Sequence, residues 1–411
     1  MTRMRAARLA ILASHPIQYF TPIYRLLAAH PHLEVDVFYC RDFGVRPRYD
    51  KQFGRVVRWD TEQLAGYRHR FLLNVSPISD TFNPLHAVNP GAFFRMLRGY
   101  DALWVNGYLY PSNWLAAFAG ALTGTRLLMR SELRLDGERH GRWARVRDRL
   151  IRGWVARSDA LLYIGAENRA AYLAYGADPR KLFFTPYSTD VDRFANAAQM
   201  PADARAVLRA RWGVPPDAVV VLYVGKLTAR KHPEALLRLG VPSAFPRLHV
   251  VIAGSGPMEG ELSASAASLG ATSVTFLGFV NQAKLPEVYG LGDIFVMPSE
   301  REPWGLVLNE AMASGLAPVV SSDVGAAADL ITPDETGFVF ESRAWDAMTR
   351  HVQRLAADDA LRARIAEAAR ARSSRYSHAA AAQGVLDALA ALGVLDGSDA
   401  HPVAQPAGTR G

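Results

Sequence analysis

Residues 298–329 read PSEREPWGLVLNEAMASGLAPVVSSDVGAAAD, and this stretch decides the fold. Ahead of it, residues 293–297 (DIFVM) form an apolar run that stops at Pro298, the pattern of a buried strand. A polar turn carrying Glu300, Arg301 and Glu302 follows. Pro303, Trp304 and Gly305 then lead into residues 306–314, whose periodicity and residue types predict a helix. After Gly315, residues 317–320 form a second apolar strand. Strand, turn, helix, strand is the unit that sets a helix N-terminus at the carboxyl edge of a parallel sheet. Backbone N–H groups and the positive end of the helix dipole favour an anion there, typically phosphate.

Two carboxylates flank that N-terminus, Glu302 before it and Glu310 within it, with seven residues between them. Glu310 lies roughly 7–8 Å along the helix axis from its start. Acids so spaced reach different parts of one elongated ligand and do not easily share a metal ion. The arrangement suits a sugar at one end, ribose hydroxyls at the other and a diphosphate over the helix tip. Ordinary surface acids on an exposed helix are the alternative, and the flanking Pro-Trp-Gly and the two strands weigh against it.

Glu302-Pro303-Trp304-Gly305-Leu306-Val307-Leu308-Asn309-Glu310-Ala311-Met312-Ala313 resembles the donor-binding motif of the retaining nucleotide-sugar glycosyltransferases of family four. The family pattern is E-P-(aromatic)-G-L-x-x-x-E-A-M-A. The chain departs from it downstream, with Pro318 one residue later than usual and a glycine pair reduced to Gly325-Ala326.

The resemblance implies the GT-B fold, α/β, with two Rossmann-like doubly wound parallel-sheet domains facing across a cleft. It places an acceptor-side domain at 1–194, a donor-binding domain at 195–375, a helix at 376–395 crossing back to the first domain, and a disordered tail at 396–411. It implies retaining, metal-independent transfer of a sugar from a nucleotide-diphosphate donor, with no other cofactor. The acceptor would be a glycan or lipid-linked hydroxyl in cell-envelope polysaccharide or glycolipid synthesis. Lys226 and Lys231 would stabilise the departing diphosphate, aided by the N–H groups of Gly305 and Leu306. Glu302 would hold the donor sugar and Glu310 the ribose, with Trp304, Gly225, Gly254 and Val280 completing the donor site.

Composition agrees with two ordinary domains. The 411 residues are 50% hydrophobic and 21% charged, a globular balance. A net charge of +8 suits phosphate-bearing substrates or an anionic membrane surface. Nucleic acid is excluded as the partner because none of its recognition modules is present. The single cysteine, Cys40, rules out an intramolecular disulfide and points to a reducing compartment, read here as the cytoplasm, with peripheral contact at the inner membrane face as a further expectation. The amino end imitates a signal peptide, but its apolar part is too short and leads straight into a loop in the manner of a first buried strand.

Residues 8–13, 35–40, 102–105, 126–129 and 160–164 are short apolar runs separated by helical segments, the signature of a parallel doubly wound sheet. No G-x-G-x-x-G follows the first of them, which argues against a dehydrogenase. His15 and Gln18, in the loop after that first strand, are candidate acceptor or sugar contacts by fold position. So are Arg130 and Glu132 beyond residues 126–129; the alternatives are a turn set by Pro16 and a plain arginine–glutamate pair. The family's histidine near this point is missing, His140 being too far along.

Between residues 126 and 157 stand ten arginines and four acids, with Trp143, Val146, Leu150 and Trp154 at helical spacing among them. Such a helix either lies on an anionic membrane or docks on the sheet with its charges in water; docking is the simpler reading. Asp190-Val191-Asp192 imitates a metal-holding D-x-D, but its setting resembles the family's interdomain linker, so no metal site is expected.

In the second half, residues 219–225, 248–253, 274–278 and 336–340 read as strands. Lys226 and Lys231 follow the first of these, where cations neutralise a diphosphate and glycine lets the backbone approach. Lys226 stands where the family has an arginine, keeping the charge and losing the bidentate fork. Residues 344–372 read as helix and 377–392 as an alanine-rich helix. Two other functions share these features: a sugar-nucleotide epimerase of the same fold, and a non-catalytic nucleotide-sugar-binding partner subunit.

Overall fold

A computed structural model describes residues 5–78, 83–135 and 141–397. His140 and the tail from residue 398 lie outside the described residues. Among the described residues fifteen strands run in chain order: β1 (Ala7–Ala13), β2 (Leu33–Tyr39), β3 (Arg48–Asp50), β4 (Arg55–Val57), β5 (Arg68–Phe71), β6 (Ala102–Asn106), β7 (Arg126–Arg130), β8 (Ala160–Tyr163), β9 (Leu182–Phe184), β10 (Val219–Val224), β11 (Leu248–Ala253), β12 (Val274–Gly278), β13 (Ile294–Met297), β14 (Ala317–Ser321) and β15 (Phe338–Phe340).

Thirteen of them make two separate parallel sheets, and β3 and β4 pair as an antiparallel hairpin. The first is ordered β5-β2-β1-β6-β7-β8-β9 and the second β12-β11-β10-β13-β14-β15. Helices cover both faces, so the central strands are apolar throughout rather than alternating; every residue of β10, β11, β13 and β14 is buried. Each sheet has its own core. Leu12, Leu103, Met129, Ile151, Trp154 and Tyr172 contribute to the first. Val221, Val250, Val296, Val319, Phe338 and Ile365 contribute to the second.

The chain divides into two compact units. One comprises residues 1–46, 62–187 and 378–411, the other 47–61 and 188–377. The antiparallel hairpin of β3 and β4 therefore belongs with the second sheet, and the helix His378–Ala391 with the first.

The stretch predicted as one helix over 344–372 is two, Trp345–Ala357 and Asp359–Ser373. Asp358 leaves helical geometry, and its carboxylate accepts the Leu361 N–H at 2.9 Å, capping a new helix. Asp190 does the same for Val191–Ala198, accepting from the Arg193 N–H at 3.2 Å. The D-x-D is thereby a helix start.

Candidate functional site

In the second unit, the exits of β10 and β13 bring the predicted charged residues together. Glu302 sits in the loop after β13, and its carboxylate pairs with the Lys231 ammonium. Arg230 Nη1 donates to the same oxygen at 3.2 Å and to the Arg301 carbonyl at 3.0 Å. One acid thus holds two cations. Burial pushes the Lys231 ammonium down from its ordinary pKa, and Glu302 pulls it back up.

The helix Leu306–Ala313 begins just past this cluster. Gly305 caps it with φ 100°, a left-handed value that glycine takes without strain. The loop is fixed from behind: Glu302 N–H donates to the Asp323 carbonyl at 3.0 Å, and Gly325 N–H to the Glu302 carbonyl at 2.9 Å. A Cβ on Gly325 would stand 2.3 Å from the Pro303 carbonyl, so the residue must be glycine. Ala326, the second member of the reduced pair, donates its N–H to the Trp304 carbonyl at 3.0 Å.

Glu310 is fully buried and accepts the Tyr289 hydroxyl at 2.8 Å. Trp304 is buried too, its indole N–H donating to Asn309 at 2.9 Å and its ring lying 5.9 Å from that of Tyr376. At this position the backbone borders the helix tip, and the indole packs inward. Leu306, the first helical residue, is half-buried.

Gly225 and Gly254 close the exits of β10 and β11. A Cβ on Gly254 would fall 1.8 Å from the Gly225 carbonyl oxygen, so close backbone packing demands a glycine there. Lys226 projects beside them, and Val280 follows β12 half-buried.

The sequence did not foretell what Lys226 touches. Its ammonium donates to Gln52 at 2.6 Å, lies 3.6 Å from the Asp50 carboxylate and sits 4.6 Å above the Phe53 ring. Burial lowers its pKa, and Asp50 opposes the shift. The hairpin is held further by Ser255 Oγ donating to the Phe53 carbonyl at 3.1 Å and by Phe53 packing edge-on against Phe279. Asp50 and Gln52 lie outside every motif; their only signal is a short polar strand pair around Gly54.

The first unit gathers its own set. Arg130 ends β7, 3% exposed, with its guanidinium 4.5 Å from the Phe20 ring and 4.4 Å from that of Tyr187. The Tyr187 hydroxyl donates to Glu132. Arg130 and Glu132 therefore meet at one tyrosine. His15 contacts Ser14 Oγ at 3.0 Å, and burial with the nearby charges of His86 and Arg41 lowers its pKa to about 4. Gln18 is half-buried in the same loop.

Two doubly wound parallel-sheet units, the second with a cation-bound acid ahead of a helix tip, define the architecture of the GT-B glycosyltransferases. Comparisons with known proteins agree. The family described as Glycosyl transferases group 1 matches residues 204–372, and the Glycosyl transferase 4-like domain matches residues 16–188. The chain belongs to this GT-B family-four type of glycosyltransferase.

It is 34% identical to a D-inositol 3-phosphate glycosyltransferase of Xylanimonas cellulosilytica over 57% of its own length. That match spans little more than half of the relative, 58%. Among solved structures, HepE of Anabaena in complex with UDP superposes with a TM-score of 0.73 at 16% identity, covering 94% of this chain and 99% of that one. Sucrose-phosphate synthase of Thermosynechococcus elongatus gives 0.66 at 22%, covering 92% and 96%. These two likenesses are of fold.

Proposed function

We propose that the protein transfers a sugar, with retention and without a metal ion, from a nucleotide-diphosphate sugar to an acceptor hydroxyl. One observation carries the reading: Glu302, Lys231 and Arg230 cluster beside the Gly305-capped helix tip at the exits of β10 and β13. Lys231 and Arg230 supply positive charge for the diphosphate, and the tip supplies backbone N–H groups. Lys226 joins them once Asp50 and Gln52 let go. On donor binding, Glu302 exchanges part of its ion pairing for hydroxyls of the sugar. Glu310 holds the ribose from within the helix.

As the bond from the anomeric carbon to the diphosphate breaks, the leaving oxygen keeps the electron pair. The acceptor oxygen bonds to that carbon on the same face and passes its proton to the departing diphosphate. His15, Gln18, Arg130 and Glu132 are the acceptor-side groups.

HepE is solved with UDP and with UDP-glucose, so UDP-sugars are the first donors to screen, and inositol phosphates the first acceptors. The physiological acceptor is a glycan or lipid-linked molecule of the cell envelope, reached from the cytoplasm by peripheral contact with an anionic membrane. The test is transfer measured with separated donor and acceptor products. Glu302→Gln and Lys231→Ala should each cost roughly a hundredfold in turnover, the scale of losing one preorganised electrostatic contact. Undiminished transfer in both would refute the site. A new sugar nucleotide formed without acceptor would favour the epimerase.

A further inference from the structure

The spacing of Trp143, Val146, Leu150 and Trp154 predicts a helix that buries its apolar stripe on the first sheet. It does so only at its carboxyl end, where Ile151, Trp154 and Val155 are buried. Trp143, Val146 and Leu150 lie on one stripe of Arg142–Arg157 and face solvent, Trp143 at 72% exposure. The neighbouring helix Pro111–Thr123 exposes Phe118 at 61% and Leu122 at 62%, and Phe94 of the adjoining helix Gly91–Met96 is 65% exposed. Between Pro111–Thr123 and Arg142–Arg157 runs a groove of about 710 Å³ lined by Trp114, Phe118, Leu150 and Trp154, with Arg149 and Arg157 among its walls. Isolated exposed apolar side chains are ordinary; so many on neighbouring helices mark a surface that something covers.

Charge identifies what covers it. Arg142–Arg157 carries six arginines against the single acid Asp148. Among the described residues no carboxylate pairs with Arg145, Arg149 or Arg152. A protein interface of this apolar content is depleted of charge at its core, whereas here an arginine interrupts every turn. Pairing with a second copy would set arginines against arginines. An anionic bilayer satisfies both features, with aromatic and aliphatic groups entering the acyl boundary and guanidinium groups on lipid phosphates.

We infer that the face formed by Pro111–Thr123 and Arg142–Arg157 is the docking surface of this protein on an anionic membrane. The inference rests on the reading above that the acceptor is met at such a membrane, and it names the surface that meets it. The exposed stripe enters the interface while the arginines hold the headgroups.

Flotation of the full chain with phosphatidylcholine vesicles, with and without about one-third phosphatidylglycerol, tests it. The protein should float with the anionic vesicles alone and be released by high salt. Arg145→Glu/Arg149→Glu/Arg152→Glu and, separately, Phe118→Ser/Trp143→Ser should each weaken binding roughly tenfold or more. Both variants should keep the wild-type melting temperature and full transfer to a water-soluble acceptor. Equal binding to both vesicle types, no binding to either, or undiminished binding by both variants would overturn the inference. A dimer that Phe118→Ser dissolves, in a protein that ignores vesicles, would assign the face to a second copy instead. Anionic-vesicle binding in a protein that transfers no sugar leaves this inference standing and refutes the proposed function.

Discussion

Glu302 and Lys231 keep only 13% and 15% of their side-chain surface exposed, and both remain in contact with solvent on one side. A pair so placed is costly to break, because removing one partner strands the other's charge in a poorly solvated position. Here Arg230 remains to share Glu302, so loss of Lys231 leaves the acid partly compensated. The same residue-level logic applies to His15, whose folded pKa of about 4 lies below its ordinary 6.5. Between those values the unfolded chain takes up a proton that the folded chain refuses. Stability is therefore fully present above pH 6.5 and falls as pH drops towards 4. His15 is partly reachable by solvent, so the linkage is bounded at about 2 kcal/mol between neutrality and about pH 5. Urea unfolding at those two pH values should show His15→Gln losing less stability on acidification than wild type. Equal losses would mean that other groups carry the acid sensitivity.

Elements were legible in the sequence in proportion to their burial. β10, β11, β13 and β14 are continuous apolar runs because both faces of a parallel sheet are covered. The motif 302–313 located the helix tip and the acid at it for the same reason, since its apolar positions are core. β5, with sequence RHRF at the sheet edge, and the hairpin of β3 and β4 carry no such signal. Trp143, Val146 and Leu150 give one helical pattern whether the stripe is buried or exposed, and only the three-dimensional neighbours decide. Asp50 and Gln52 occupy the Lys226 ammonium, so on the proposed function a diphosphate must displace them before it gains that charge. Asp50→Asn/Gln52→Ala should tighten UDP binding by about 1 kcal/mol, the size of a partly exposed ion pair with its hydrogen bond. Calorimetric titration measures it, and weaker binding would show instead that the hairpin helps hold the nucleotide.

At the scale of the whole molecule, neither unit is a continuous piece of chain, and the first is completed from the far end of the sequence. The helix His378–Ala391 packs on Thr21–Ala28 and on β8 and β9, burying Ala381, Val385, Leu386 and Leu389. At Gly384 it approaches so closely that a Cβ would stand 1.9 Å from the Phe184 carbonyl oxygen. Burying Val385, Leu386 and Leu389 stabilises the first unit by several kcal/mol, at about 1.5–3 kcal/mol for each aliphatic side chain. The second core draws nothing from this helix. A chain ending after Ser377 should thus lose protection against hydrogen exchange in β1, β2 and β6–β9 while β10–β15 keep theirs. Because the helix tip, Lys231 and Glu302 all lie in the second unit, UDP should still bind that truncated chain with near wild-type affinity. On the proposed function transfer would be lost, since the candidate acceptor-side residues His15, Gln18, Arg130 and Glu132 belong to the weakened unit. Uniform loss of exchange protection across both sheets would show instead that the two cores fold as one cooperative body.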